Sequence, residues 1–226
     1  MASQLVVRAC PPFRVSGRLS SPSAAELEHD ALMFLDQPEL ERARAMMPRP
    51  QQDFLASRIA QRRFAAELLQ VPVQDLSAHY ACPRCGSGPD ITHGRPGYTL
   101  AGAPAPLLLS LSRSSGWTLL AAITEPGTGQ RLGVDVEDPQ RLDFDGFDSV
   151  ALTPGERHAL ASLGGDGLLC GRARLWARKE AVLKMTGEGL GRSPETLDVL
   201  GLPGVRDLGP DATGLPGSLV AAVAVG

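Results

Sequence analysis

The chain has 226 residues, 43% of them hydrophobic and 21% charged, which is typical of a soluble globular protein with one large domain or two compact halves. Its formal net charge of −3 argues against general binding to nucleic acid or to acidic membranes. The N-terminus lacks the apolar run of a signal peptide and no later run is long enough to span a bilayer, so we expect a cytoplasmic protein with four reduced cysteines.

The first half of the chain is predicted to contain helices followed by a hairpin. Residues 1–25 are rich in Pro and Ser without periodicity, which indicates a loosely ordered segment. Apolar spacing predicts a short helix at 23–35 and a longer one at 53–71. Gly and Pro fill ten of the 27 positions of residues 80–106, which predicts a long irregular connection. Two apolar runs around a Ser-Ser-Gly turn predict a hairpin at 106–124.

The second half is predicted to contain a short strand at 131–141, a helix start capped by Thr153 and a long helix at 171–187. Two late segments, residues 196–202 and 217–225, have the composition of strands. Because both halves mix helices and strands, we predict an α+β fold rather than a doubly wound sheet.

Two carboxylates share one face of the predicted strand at 131–141. In the segment GVDVE, Val134 and Val136 point to one side, and Asp135 and Glu137 to the other. Carboxylates this close repel each other unless a cation lies between them. A strand with its polar face in water explains the same alternation, and the segment alone favours that simpler explanation.

The only two lysines of the chain, Lys179 and Lys184, both lie in the predicted long helix. Trp176, Glu180 and Lys184 are spaced i, i+4 and i+8, so they share one helix face. A surface Glu–Lys pair would be worth roughly 0.2–0.5 kcal/mol. The large aromatic residue one turn earlier indicates instead that this face is partly buried, and a buried glutamate needs a partner.

A magnesium ion is one such partner. Asp135, Glu137 and Glu180 form an oxygen-only ligand set, which suits Mg²⁺ with waters and substrate phosphates completing its shell. Lys184, a compact positive charge beside such a set, is typical of a phosphoryl-transfer site. We therefore predict a metal-dependent phosphoryl-transfer site on the strand and the helix.

The two motifs together resemble the 4′-phosphopantetheinyl transferases of the surfactin-synthetase type. Those enzymes have a G-[IV]-D segment followed about forty residues later by W-x-x-K-E-x-x-x-K. This chain has GVDVE and WARKEAVLK in that order, with 45 residues from the Asp of the first to the Glu of the second. Either motif alone is a weak signal, whereas the spaced pair is a strong one.

Further segments extend the resemblance over most of residues 40–190. LTPGE is similar to a short family motif and aligns its glutamate with Glu156, HGRPGY is similar to the G-[KR]-P segment, and LSLSRSSG to the S-[HR]-S hairpin. FLASRIAQRRFAAELL is similar to the arginine-bearing helix of the family, and CPRCG before HGRP is similar to members from actinobacteria.

The resemblance implies a fold and a reaction. The fold is a pseudo-twofold monomer of two similar α+β halves, residues 1–124 on the nucleotide side of coenzyme A and residues 125–226 with the metal and catalytic residues, joined near 124–130. The reaction moves the 4′-phosphopantetheine arm of coenzyme A to a serine of an apo acyl or peptidyl carrier protein and releases 3′,5′-ADP. The resemblance is compatible with carriers of fatty acid, polyketide and nonribosomal peptide biosynthesis alike.

The resemblance also implies roles for residues. Asp135, Glu137 and Glu180 would hold Mg²⁺, for which Mn²⁺ can substitute; Glu180 would be the base for the carrier serine, and Lys184 would hold the phosphate under attack. Residues implied in binding coenzyme A are Arg58, Arg95, Ser112, Arg113, Asp135, Lys179, Glu180 and Lys184. For Arg58 a solvated surface side chain is an equally good explanation.

The hairpin motif departs from the family pattern at one position. The chain has Ser112-Arg113-Ser114 where the family most often has Ser-His-Ser. A guanidinium donates hydrogen bonds to phosphate at least as well as an imidazole, so we expect phosphate affinity to survive. The pH dependence that a histidine would confer is not expected.

Cys82, Cys85 and His93 could begin a zinc site, but the chain has no second CxxC, and Cys10 and Cys170 are distant in sequence. Structural zinc takes four ligands, so the sequence favours a stable loop or a redox-labile cysteine pair. A non-catalytic zinc or protein-binding module around Cys82 and Cys85 is the alternative function. Another Mg²⁺-dependent nucleotide enzyme is disfavoured, because the chain has neither a Walker loop nor a G-x-G-x-x-G after a strand.

Overall fold

A computed structural model describes residues 3–12 and 23–226. Its α-helices are α1 (Ala24–Phe34), α2 (Gln37–Arg44), α3 (Pro48–Leu69), α4 (Phe147–Ala151), α5 (Pro154–Leu160), α6 (Gly165–Thr186) and α7 (Pro210–Thr213). Its strands are β1 (Gln4–Cys10), β2 (Leu76–Ala78), β3 (Tyr80–Cys82), β4 (Gly86–Gly88), β5 (Tyr98–Leu100), β6 (Ala103–Pro104), β7 (Leu107–Ser114), β8 (Trp117–Thr124), β9 (Leu132–Glu137), β10 (Val205–Leu208) and β11 (Val220–Val225). Helices mixed with antiparallel strands confirm the predicted α+β fold.

One order of elements occurs twice along the chain. A strand, three helices and two final strands occur in the order β1, α1 to α3, β7 and β8, with the short strands β2 to β6 inserted before β7. The same order recurs as β9, α4 to α6, β10 and β11, with the short helix α7 inserted between β10 and β11. In both segments the first strand pairs with the last, and the last pairs with the one before it, always antiparallel. The element order thus contains the two similar α+β halves. Their division of labour between nucleotide and metal binding stays a prediction.

The sheets β1-β8-β7 and β10-β11-β9 share one apolar core and meet at β7 and β9. Alternate residues of β8 and β9 are buried together, namely Leu119, Ala121 and Ile123 with Leu132, Val134 and Val136. At the meeting point the backbone N–H of Val134 donates to the Ser110 hydroxyl at 2.9 Å. The hairpin and the acidic strand are therefore held side by side.

Helix α6 packs directly on β9 because the strand carries a glycine at the crossing. A Cβ atom on Gly133 would lie 1.9 Å from the carbonyl oxygen of Ala181 and 2.6 Å from the nitrogen of Met185. Only glycine allows this approach, so Gly133 fixes the distance between the two motif segments. None of the helices in residues 3–12 and 23–226 is long and apolar enough to cross a membrane.

Most of the predicted elements are confirmed. The helices at 23–35 and 53–71 correspond to α1 and α3, and the hairpin to β7 and β8. Thr153 caps α5 with its side chain, and Gly187 ends α6 in the left-handed conformation. Helix α6 begins earlier than predicted, because the glycines of its first turns lack the apolar spacing that marked the rest.

Three predicted segments were wrong in part. The N-terminal segment contains strand β1, which gains its order from pairing with β8 along its whole length, while residues 13–22 lie outside the described residues. Residues 80–106 contain short strands rather than one irregular connection. The late strand is β10 rather than residues 196–202, where Leu197 and Val199 are buried without strand pairing.

Candidate active site

Asp135 lies at the centre of the candidate site, buried between β9, β7 and α6 with 2% of its surface exposed. Lys184 Nζ lies 2.6 Å from Asp135 Oδ1 and also donates to the carbonyl oxygen of Val134 at 3.1 Å. The Ser112 hydroxyl donates to the same Oδ1 at 2.6 Å. The second oxygen, Oδ2, is buried and has no hydrogen-bond partner among the described residues. An unsatisfied buried carboxylate oxygen is costly unless a cation or water completes it.

The other two acids of the cluster are electrostatically strained. Burial, and then the Asp135 carboxylate, raise the pKa of Glu137 to about 7, with Glu180 adding to the rise and Lys184 opposing it. Burial and Asp135 likewise raise the pKa of Glu180. Three half-buried or buried carboxylates thus lie close together near the positive charges of Lys184 and Arg141, and a further cation would relieve their repulsion.

These residues fit a divalent cation in chemistry. The donors are all oxygens, and Asp135 Oδ2 is unsatisfied, as Mg²⁺ binding requires. The carboxylate oxygens of Asp135, Glu137 and Glu180 are nevertheless not gathered within 4.8 Å of one another. The three-ligand assignment stays a prediction.

A cleft of about 230 Å³ opens beside this cluster and is lined by Lys184, Arg58 and Arg95. Arg95 donates to the carbonyl oxygen of Met185 at 2.7 Å, so its guanidinium lies over the end of α6. Arg58 donates to the carbonyl oxygen of Thr92 at 3.1 Å and to the Tyr80 hydroxyl. The structure therefore brings together three cations that the sequence placed in separate segments.

Arg113 lines a different cavity, of about 490 Å³, together with Arg141 and Asp53. Ser112 and Arg113 are successive residues of β7, so their side chains point to opposite faces of the strand. Burial, and then the nearby charge of Arg58, lower the pKa of Arg113. Arg141 was missed from the sequence; its position just after the acidic strand and the Asp-Pro turn was the available signal.

Lys179 does not lie in the cleft, which corrects its predicted contact with coenzyme A. Its side chain is fully buried, and Nζ lies 2.6 Å from Glu156 Oε2. Its ammonium also donates to the carbonyl oxygen of Pro194 at 2.8 Å and to that of Leu197. Lys179 is about 100° around the helix from Glu180, and that rotation sends it into the interior.

Glu156, the partner of Lys179, is a structural residue. Its carboxylate accepts hydrogen bonds from the backbone N–H of Thr153 at 2.8 Å and of Val199 at 3.0 Å. It therefore ties the start of α5 to α6 and to the segment before β10. The sequence resemblance singled out Glu156 without a role, and the structure supplies one.

Residues 131–208 match the family model of the 4′-phosphopantetheinyl transferase superfamily. The matched segment runs from β9 to the end of β10 and so includes Asp135, Glu137, Glu180 and Lys184. This match supports a transferase of that superfamily, which uses coenzyme A in phosphopantetheine transfer. A comparison with curated proteins found no match. The surfactin-synthetase type stays a prediction.

The cysteine pair lies outside the matched segment. The ligand atoms of Cys82, Cys85 and His93 all lie within 4.8 Å of one another, and this is the one such group of three His, Cys, Asp or Glu residues in the part of the chain that the structure describes. Cys10 lies on β1 and Cys170 on α6. None of the four cysteines lies in the segments GVDVE and WARKEAVLK.

Proposed function

We propose that this protein transfers the 4′-phosphopantetheine arm of coenzyme A to a serine hydroxyl of an apo carrier protein and releases 3′,5′-ADP. The observation that carries the proposal is the contact of Lys184 with the incompletely satisfied Asp135, inside the segment that matches the superfamily. The cleft beside this contact carries two arginines, which suits a substrate with several phosphates.

Coenzyme A carries a diphosphate and a 3′-phosphate, so a chain of net charge −3 must bind it with locally gathered cations. In our proposal Arg58 and Arg95 bind phosphates of the nucleotide end from the walls of the cleft. Arg113 and Arg141 offer further positive charge in the neighbouring cavity. Ser112 acts indirectly, because its hydroxyl holds Asp135 in place.

Asp135, Glu137 and Glu180 are the residues that would hold Mg²⁺. When bound, Mg²⁺ supplies positive charge against the diphosphate and against the charge that develops on the departing phosphate. Lys184 holds an oxygen of the phosphoryl group under attack, since its ammonium is part-exposed at the cleft while remaining on Asp135. Glu180, whose pKa is raised by burial and by Asp135, accepts the serine proton directly or through a water.

The transfer conserves atoms and charge. The carrier serine oxygen forms a bond to the phosphorus that bears the pantetheine, and the bond from that phosphorus to the bridging oxygen of the diphosphate breaks. The electron pair of that bond leaves with 3′,5′-ADP, and the serine proton goes to Glu180.

We propose the cytoplasm as the location, where reducing conditions keep the free cysteines as thiols, and a monomer as the active form.

Mass spectrometry of an apo carrier protein tests the proposal. The carrier is incubated with the protein, coenzyme A and Mg²⁺, and its mass should rise by one phosphopantetheine group at its serine. Glu180→Gln should abolish this gain, whereas Glu67→Gln, the same change on the exposed face of another long helix, should leave it intact.

Two outcomes would contradict the proposal. One is no mass gain with acyl, polyketide and peptidyl carriers alike, using a folded protein and fresh coenzyme A. The other is a gain that persists in Glu180→Gln. Binding of a carrier without any covalent change would favour the non-catalytic module.

A further inference from the structure

The segment that carries Cys82 and Cys85 is a tight hairpin of β3 and β4. Cys82 pairs with Gly86 across the hairpin, so Cys85 lies in the turn between them. Gly86 has a φ of 88°, a left-handed conformation that lets the chain reverse directly after Cys85. The turn therefore holds the two sulfur atoms on the same side.

A second contact brings His93 to this hairpin. Ala81 of β3 and Arg95 exchange backbone hydrogen bonds of 3.0 and 2.8 Å, which clamps the segment containing His93 against the strand. Gly94 permits the approach, because a Cβ atom there would lie 2.3 Å from the carbonyl oxygen of Ala81. The backbone hydrogen bonds between Ala81 and Arg95 thus hold His93 close to the two cysteines.

We propose that Cys82, Cys85 and His93 bind a zinc ion. Two thiolates and one imidazole are a donor set that zinc prefers over Mg²⁺ or Ca²⁺. In a tetrahedral site with Zn–S near 2.3 Å and Zn–N near 2.0 Å, ligand atoms lie roughly 3.5–3.8 Å apart. The three atoms already lie within 4.8 Å of one another, so binding needs only small side-chain movements.

The fourth ligand of this zinc is water. Cys85 and His93 are exposed and Cys82 is only half-buried, so the open side of the cluster faces solvent. Three protein ligands and one water complete the shell of four-coordinate zinc. The site therefore does not need the fourth protein ligand whose absence made the sequence alone disfavour it.

The zinc ion clips the loop that carries Arg95 to the β3–β4 hairpin. Arg95 follows His93 by two residues, and its guanidinium reaches the carbonyl oxygen of Met185 at the end of α6. A zinc ion on His93 therefore limits the movement of this loop and holds the Arg95 side chain at the cleft. This consequence for substrate binding rests on the proposed function, whereas zinc binding itself does not.

Metal analysis of the full-length protein tests the site. The protein is purified under reducing conditions from zinc-supplemented medium, and zinc is measured by inductively coupled plasma mass spectrometry. We expect one zinc ion per chain in the wild-type protein. The zinc content of Cys85→Ser and of His93→Ala should be lower by at least about tenfold. Cys170→Ser and His158→Ala, which change the same residue types on α6 and α5, should keep the zinc. Replacement by Co²⁺ should give the visible spectrum of a tetrahedral site with thiolate ligands.

A zinc-free wild-type protein, a Cys82–Cys85 disulfide in place of metal, or zinc retained in folded Cys85→Ser and His93→Ala would each overturn the proposal. Circular dichroism establishes that the variants are folded. In a separate assay, removal of zinc should raise the KM for coenzyme A several-fold and change kcat little. Bound zinc with no transferase activity would contradict the proposed function and leave the zinc site standing, so the two failures are distinguishable.

Discussion

The two long helices, α3 and α6, use the same device to fasten themselves to the rest of the protein. Each has 22 residues, and its fifteenth residue is a buried cation, Arg62 in α3 and Lys179 in α6. Arg62 pairs with Glu39 at 2.9 Å, and Lys179 pairs with Glu156 at 2.6 Å. Both glutamates are third in the preceding helix and accept a hydrogen bond from the N-cap backbone.

Five residues further along, the same comparison separates structure from chemistry. Glu67 of α3 pairs with Arg8 of β1, and Lys184 of α6 pairs with Asp135 of β9, both at 2.6 Å and with the charges reversed. The side chains of Arg8 and Glu67 are 42% and 59% exposed, whereas those of Lys184 and Asp135 are 29% and 3% exposed. The two pairs occupy matching places in the repeated order of elements, but only the second is covered by the other half.

The difference teaches where this fold places its reactive charges. An ion pair at the surface is screened by water and contributes little. The same pair placed against β7, with Ser112 on the carboxylate and a cleft alongside, lies in a low dielectric where charge acts strongly. The repeat supplies the scaffold twice, and burial at the junction of the halves makes one copy suitable for catalysis.

The largest effect is expected from substitutions in the buried acidic cluster, at Asp135 and Glu180. Asp135→Ala and Glu180→Ala should each reduce the rate of transfer about a thousandfold or more, which corresponds to roughly 4 kcal/mol of barrier. Each substitution removes a proposed carboxylate ligand of Mg²⁺, and Glu180→Ala also removes the proposed base. Turnover with a carrier protein is measured over a range of Mg²⁺ concentrations. Glu67→Ala in the other helix is the matched control and should keep wild-type turnover. Near-normal turnover in a folded Asp135→Ala protein would exclude the proposed metal site.

The second effect concerns stability and should appear in both halves, more strongly in the second. Glu156→Gln leaves Lys179 buried without its carboxylate, and Glu39→Gln does the same to Arg62, although Asp36 still contacts that arginine at 2.7 Å. Loss of one partner of a buried pair costs about 3 kcal/mol or more. We expect that cost for Glu156→Gln and a smaller one for Glu39→Gln, measured by urea unfolding.

Glu26 provides the control for the second prediction. It is also the third residue of a capped helix, but its carboxylate is exposed and pairs with no buried cation among residues 3–12 and 23–226. Glu26→Gln should change the unfolding midpoint little. Equal destabilisation by Glu26→Gln and Glu156→Gln would assign the effect to helix capping and not to the buried pair.

Much of the site could be predicted from the sequence, because its residues lie in two short motifs with a fixed spacing. Asp135 and Glu180 with Lys184 were found in this way, and the structure brings them to one place. Helix geometry alone places Lys179 and Lys184 on different faces of the helix. It does not reveal that Lys179 pairs with the buried Glu156. That partner lies in another helix, and its position depends on tertiary packing.

Strand β1, which depends on distant pairing, was among the elements missed. Strand β1 has a weak local pattern and is ordered by β8, more than a hundred residues away. The sequence named Cys82, Cys85 and His93 together, but their close approach depends on the bridge between Ala81 and Arg95, which no local pattern predicts. Local sequence thus predicted α1, α3, α5, α6 and the motif strand, whereas α2, α4, α7 and strands such as β1 were not predicted.

The third effect is a change that preserves charge at the buried pair. Lys184→Arg should lower kcat about 10- to 100-fold, because a planar guanidinium cannot keep the point contacts with Asp135 and the carbonyl of Val134 without displacing the phosphate. Steady-state transfer over a coenzyme A titration measures it. In the same assay Arg113→Lys should mainly raise the KM for coenzyme A. Wild-type kcat for Lys184→Arg would remove the catalytic role of Lys184.

The smallest effect is expected at the exposed counterpart, the Arg8–Glu67 pair. A double-mutant cycle of Arg8→Ala and Glu67→Ala, measured by urea unfolding, should give a coupling below about 1 kcal/mol and no change in transfer. The hydrogen bond from Arg8 lowers the pKa of Glu67, so the coupling should be complete above the ordinary glutamate pKa and disappear as the pH falls through the lowered value. A coupling comparable to that of a buried pair, or loss of transfer in Glu67→Ala, would show that the two halves do not differ in the way that their burial indicates.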